Sequence, residues 1–173
     1  MNNLSGLLPS SVLSSASSSV NEENNDVLRV IVFALGDYFF ALPINAVLQV
    51  IESPPELTQE FEGFGLVMLE KQSITLLNLH RHLRYKTQSD SKITADFLIL
   101  TQTRQGEFCG IPVQTLPNMM ELPYDEIQPL PSVYRQTNLY GIARFVTFVQ
   151  FEDKQQKEGI YLLDVDEALR FLS

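Results

Sequence analysis

The 173 residues, 45% hydrophobic and 19% charged, have the composition of a soluble globular protein, long enough for one ordinary domain or two small lobes. No apolar run approaches the roughly eighteen residues of a membrane-spanning helix, and a net charge of -9 repels phosphate, which argues against nucleic acid as the main partner. The single Cys109 excludes an intrachain disulfide framework, and its FCGI setting reads as a buried, reduced thiol compatible with the cytoplasm.

Residues 1–26 are rich in Ser and Asn, with scattered leucines and no periodicity, and read as a disordered tail rather than a signal peptide, since no Lys or Arg precedes Arg29. A domain is expected over 27–173. Val30 to Leu35 reads as a buried strand, Gly36 and Asp37 as its turn, and Tyr38 to Leu42 as the return arm. Pro43 suits the start of a helical turn through Ala46, after which Val47 to Glu52 resumes as strand until Pro54 and Pro55.

The clearest element is Gly65 to Leu79, GLVMLEKQSITLLNL, a hairpin whose polar break falls at Glu70, Lys71 and Gln72. Val67, Met68 and Leu69 on one arm, and Ile74, Leu76, Leu77 and Leu79 on the other, suffice to bury a sheet face. Asn78 is placed to cap a helix through His80, Arg81, His82 and Leu83, and Lys86 to Lys92 reads as a loop. Short strands follow at Phe97 to Leu100, Phe108 to Val113 and Asn118 to Leu122, with a Pro-rich turn over Asp125 to Pro131. Leu139 to Phe151 and Ile160 to Leu163 read as a last strand pair. Asp164 and Glu167 have the spacing of a capping box for a terminal helix through Phe171.

The two halves repeat each other. Leu42-Pro43-Ile44-Asn45-Ala46-Val47 lies on Ile111-Pro112-Val113-Gln114-Thr115-Leu116 without a gap, each preceded by a Gly-acid turn and followed by a strand ending in Glu52 or Glu121. Leu76-Leu77-Asn78-Leu79 lies on Leu162-Leu163-Asp164-Val165, each opening a helix. Each half is too small to be comfortable alone, so the expectation is two similar β lobes sharing a core.

No catalytic constellation stands out. Cys109 has no neighbour that would activate a thiolate, and the serines concentrate in the tail. His80 and His82 have no third ligand at metal spacing, so a solvated helix face is the plainer reading. Capping is preferred to cation binding for Asp164, Asp166 and Glu167, and no phosphate-binding glycine loop occurs. Tyr38, Phe39 and Phe40 lack basic neighbours and read as packing residues rather than a base-stacking platform. Lys71, Arg81, Arg84 and Lys86 read as a charged helix face or a patch for an acidic partner. No cofactor, metal or enzymatic activity is expected.

The order of these features over residues 28 to 172 resembles that of CheW-like domains. VIVFALGDYFFALPINAVLQVIE is similar to that family's opening, GLVMLEKQSITLLNL to its central hairpin, and GIPVQTL, EIQPLP, YGIA and LLDVDEAL to its later signatures. The resemblance implies a mostly β fold of two packed five-stranded SH3-like barrels with short helices and a C-terminal helix. It also implies a non-catalytic adaptor joining a chemoreceptor-type signalling tip to the regulatory domain of a CheA-type histidine kinase. Such a protein would be cytoplasmic, recruited to membrane receptor arrays, and monomeric on its own. By motif position, Val47, Met68, Leu69, Glu70 and Lys71 fall on the receptor side, and Gln49, Val50, Gln128 and Val133 on the kinase side, with Val47, Leu69 and Val133 as candidate apolar anchors.

Three departures matter. Glu70 and Lys71 stand where the family has Arg-Gly, Thr75 where it has Pro, and Gln114 where it has Asp. Arg to Glu changes the local charge by two units, so a divergent pathway such as phototaxis or pilus-based motility is expected. The alternatives are a regulator that occupies the kinase alone and a small-ligand-binding barrel.

Overall fold

A computed structural model describes residues 26–58, 64–83 and 95–173. The expected tail, the loop over 86–92, and Arg84 with Lys86 lie outside the described residues, Asp26 excepted. The strands are β1 (Val27–Leu35), β2 (Tyr38–Pro43), β3 (Val47–Glu52), β4 (Phe64–Leu69), β5 (Gln72–Leu77), β6 (Phe97–Gln102), β7 (Phe108–Val113), β8 (Asn118–Pro123), β9 (Gln128–Pro129), β10 (Ala143–Gln150) and β11 (Lys157–Leu163). The helices are α1 (Leu79–Leu83) and α2 (Val165–Leu172).

Local chemistry explains most boundaries. Gly36 takes φ 61° in the β1–β2 turn, a conformation that costs glycine little. Pro43, at φ -55°, precedes a 3₁₀ turn over Ile44–Ala46. Asn78 Oδ1 accepts from Arg81 N at 3.2 Å and caps α1.

The strands form two sheets, ordered β8-β1-β2-β11-β10-β9 and β3-β6-β7-β5-β4. The repeat equates β1 with β6, β2 with β7, β3 with β8, β4 with β10 and β5 with β11. Under that correspondence the sheets have one strand order, apart from two-residue β9 added at an edge. The register agrees as well. Ala41 pairs with Leu162 across parallel strands β2 and β11, and Gly110, at Ala41's place in the repeat, pairs with Leu76 across β7 and β5. Gly110 fits closely there: a Cβ would lie 3.0 Å from Leu98 Cδ1 and 3.1 Å from Leu76 Cδ2, so those side chains would have to shift by a few tenths of an ångström to admit one.

Each sheet therefore combines a hairpin from one half of the chain with strands of the other: β1–β2 sits among β8, β9, β10 and β11, and β6–β7 among β3, β4 and β5. Leu28, Val30, Val32, Ala41, Leu122 and Leu162 belong to the core of one lobe, and Val67, Ile74, Leu76 and Leu98 to that of the other. A third cluster, including Phe33, Phe40, Leu77, Ile99, Ile111, Val146 and Ala168, joins both lobes and the helices. The expected shared core is present.

Several sequence readings change. Gln72 begins β5 instead of belonging to the break, and Met68 points outward, so Val67 is the buried residue of its arm. Leu139 to Ile142 forms a turn, with Ile142 N and Ala143 N both donating to Leu139 O, and β10 starts only at Ala143. The Pro-rich turn contains β9, held by the pairing of Gln128 with Val146 and Pro129 with Phe145. The solvated face expected for the histidines is wrong: His80 is buried, and His82 Nε2 lies 2.8 Å from Asn138 O with its ring edge-on to Phe171. Phe40 is buried and Tyr38 and Phe39 half-buried in aromatic contacts, as packing residues should be.

Candidate partner-binding surface

The β4–β5 hairpin shows how alternation places side chains. Val67 enters the lobe core, so Leu66 and Met68 on either side of it point outward, 70% and 58% exposed. Leu69 pairs with Gln72 to close the hairpin and packs half-buried against that core. Glu70 and Lys71 form the two-residue connection, both exposed and both left-handed, at φ 47° and 70°. Left-handed backbone at both positions marks the primed hairpin turn that Asn-Gly favours. Here two charged side chains occupy it, projecting opposite charges from one tip.

At the other edge of the same sheet, β3 carries Val47, Gln49 and Val50. Val47 and Val50 are half-buried against the shared core, whereas Gln49 is exposed. The pairing with β6 shifts register between Val47 and Gln49, and this irregularity leaves Leu48 exposed. Thr101, buried opposite Val47, anchors the start of the strand by donating its hydroxyl to Ala46 O at 2.6 Å.

Gln128 belongs to the other sheet, and Val133 to the turn that follows its edge strand. Gln128 is exposed on edge strand β9, and Val133 is 77% exposed in the 3₁₀ turn Ser132–Gln136. The nine sequence-derived residues thus occupy three places: the hairpin, β3, and the segment around β9. Val47, grouped by motif with the hairpin, stands on the same strand as Gln49 and Val50. Of the candidate anchors, Val47 and Leu69 contribute to cores, and Val133 presents its side chain freely.

Sequence reading missed Leu66, although the period-two alternation around Val67 identifies it. It also missed exposed Leu116 and Met119 beside and on edge strand β8, the repeat equivalents of Val47 and Val50.

Burial pushes the Cys109 thiol up to about 12, with Glu107 and then Asp166 adding to the effect, so the nucleophilic thiolate is suppressed. Burial likewise raises Tyr124, and it raises Tyr161 together with a hydrogen bond to Tyr134. Among the described residues no three His, Cys, Asp or Glu side chains converge on a metal position, and no helix is long and apolar enough to cross a membrane.

The family model described as "CheW-like domain" matches residues 29–171. The chain is 26% identical over 150 residues to chemotaxis protein CheW of Helicobacter pylori, covering 81% of this chain and 88% of that protein. Its fold is similar to that of the scaffolding protein TtCheW from Thermoanaerobacter tengcongensis, with a TM-score of 0.60 at 18% identity over 80% of this chain and 90% of that one.

Proposed function

Because the chain belongs to the CheW-like domain family, we propose that it is a non-catalytic adaptor that links a chemoreceptor-type signalling tip to the regulatory domain of a CheA-type histidine kinase. The match over 29–171 carries this reading. The exposed hairpin tip, the exposed Gln49 on β3 and the exposed Val133 support it, since an adaptor acts through separate surfaces and these lie at separate places in the fold. A standard interface buries on the order of 800 Å² per partner.

Glu70 sets the receptor's chemistry. It is exposed at the tip where the family carries Arg, so the receptor residue facing it is basic. Such a receptor belongs to a divergent branch, as in phototaxis or pilus-based motility. The same observation favours a second reading, a regulator that occupies the kinase without any receptor.

Calorimetry of the full chain against the isolated regulatory domain of a CheA-type kinase from the same source tests the adaptor reading. Binding with a Kd around micromolar, about -8 kcal/mol, is expected, and no binding to any such domain overturns it. Glu70→Arg then separates the two readings. Under the adaptor reading, the like charge it creates weakens receptor binding by about tenfold or more while kinase binding is unchanged. A chain that binds kinase and no receptor is the kinase-only regulator.

A further inference from the structure

A cleft of about 450 Å³ lies among β5, the β6–β7 turn and α2, lined by Thr75, Thr103, Gln105, Glu107, Asp166 and Arg170 among others. Its walls are fixed by hydrogen bonds. Thr103 N donates to Glu107 O and Gly106 N to Thr103 O, both at 2.9 Å, while the Thr103 hydroxyl accepts from Glu107 N at 3.1 Å. Asp166 Oδ1, on α2, accepts from Arg104 N at 3.2 Å, and the Thr75 hydroxyl donates to Glu107 Oε1 at 3.0 Å.

The charge of this cleft is negative. Arg104 is directed to Asp164 at 3.8 Å and Arg170 to Glu167 at 3.3 Å, so these two cations are held by other carboxylates. Within the described residues neither Glu107 nor Asp166 forms an ion pair. Their field reaches Cys109 beneath the cleft, whose thiol both carboxylates help to hold protonated.

The apolar edge of the hairpin adjoins the cleft at Thr75. Leu66 pairs with Thr75, and Thr75 with Cys109, so one row crosses β4, β5 and β7. Cross-strand partners share a sheet face, which places exposed Leu66, and Met68 opposite Ser73, beside the cleft. We propose that this cleft and its Leu66–Met68 flank dock a basic amphipathic segment of a protein partner, which sets apolar side chains on the two residues and a Lys or Arg between Glu107 and Asp166. The proposal rests on the adaptor reading only in supposing that the protein acts by contact. The apolar flank fits a protein segment, and the two unpaired carboxylates select a cationic one.

The test is an NMR titration of the full chain with an amphipathic leucine-lysine peptide and its leucine-glutamate counterpart. The leucine-lysine peptide should shift the amides of Leu66, Thr75, Glu107 and Asp166. The double variant Glu107→Gln, Asp166→Asn should weaken it by about tenfold; each amide retains the oxygen that accepts the existing hydrogen bond. The control Glu152→Gln, Asp153→Asn removes the same charge from the β10–β11 connection and should leave affinity within about twofold, the change expected of screened remote charges. Equal losses in the two variants, shifts centred elsewhere, or equal binding of the leucine-glutamate peptide overturn the proposal. Because the kinase domain is absent from this measurement, such a failure leaves the adaptor reading to its own test.

Discussion

At the hairpin tip two charged residues occupy backbone that favours Asn and Gly. Left-handed backbone costs a non-glycine residue about 1–2 kcal/mol, and Glu70 and Lys71 both adopt it. Lys71→Gly therefore relieves strain, although part of the gain is lost to the greater freedom of glycine in the unfolded chain. A net stabilisation of about 0.5 kcal/mol is expected, read as a higher urea midpoint at unchanged slope; a lower midpoint would show that Lys71 makes a stabilising interaction larger than the strain. Strain at an exposed tip agrees with selection for side chains that meet a partner. Cys109 is the opposite case, a residue made inert by its surroundings. Its folded pKa of about 12 lies above the ordinary 9.0, so the fold disfavours the thiolate. The sign follows: below pH 9.0 the contribution of this thiol to stability is fully present, and it is lost as pH rises toward about 12. At pH 8 a thiol reagent should label Cys109 only as the chain unfolds, and the alkaline fall in urea midpoint should be shallower in Cys109→Ala than in the parent.

At the scale of elements, α2 shows what local sequence reveals and what it leaves out. The Asp164–Glu167 spacing identified the cap, and Asp164 Oδ1 does accept from Glu167 N at 3.1 Å. The reciprocal half of the box is not made. Asp164 N donates instead to Ile142 O at 2.8 Å, and Glu167 Oε1 meets Arg144 Nη2 at 2.9 Å and Arg170 Nη1 at 3.3 Å. Asp164 is buried, with Oδ2 3.3 Å from Arg144 Nε, so its carboxylate joins the helix start to β10. Asp164→Ala should cost about 2 kcal/mol, the upper part of the range for a lost cap, while Asp164→Asn, which keeps the capping oxygen, should cost about half as much. Equal losses in urea denaturation would show that charge rather than capping holds the helix. Elements whose causes lie within a few residues were legible: the Gly36–Asp37 turn, the Pro43 step, and the Asn78 and Asp164 caps. The burial of His80, the pairing of β9 and the turn over Leu139–Ile142 were not, because their causes are packing and strand partners far away in the chain.

For the whole molecule, the repeat disclosed the order of elements but left their partners open. The same order would arise if each half closed its own sheet. What decides is the pairing of β2 with β11 and of β7 with β5, parallel contacts between halves that no local pattern announces. The candidate surface was partly legible for a related reason: motif position points to the hairpin and β3, whereas the cleft between β5 and α2 exists only once the two halves have joined. Exchange of hairpins also makes the lobes thermodynamically interdependent. Opening either lobe removes β1–β2 or β6–β7 from the strands of the other half and exposes the core that both lobes share. Unfolding should therefore be one cooperative transition, with near-UV and far-UV dichroism coincident in urea. Residues 95–173 alone should show no dispersed NMR spectrum, because β8, β10 and β11 lack the hairpin between them. Co-expression with residues 1–94 should restore the spectrum of the intact chain. Two resolved transitions, or a folded isolated half, would mean that each lobe stands without the hairpin supplied by the other half.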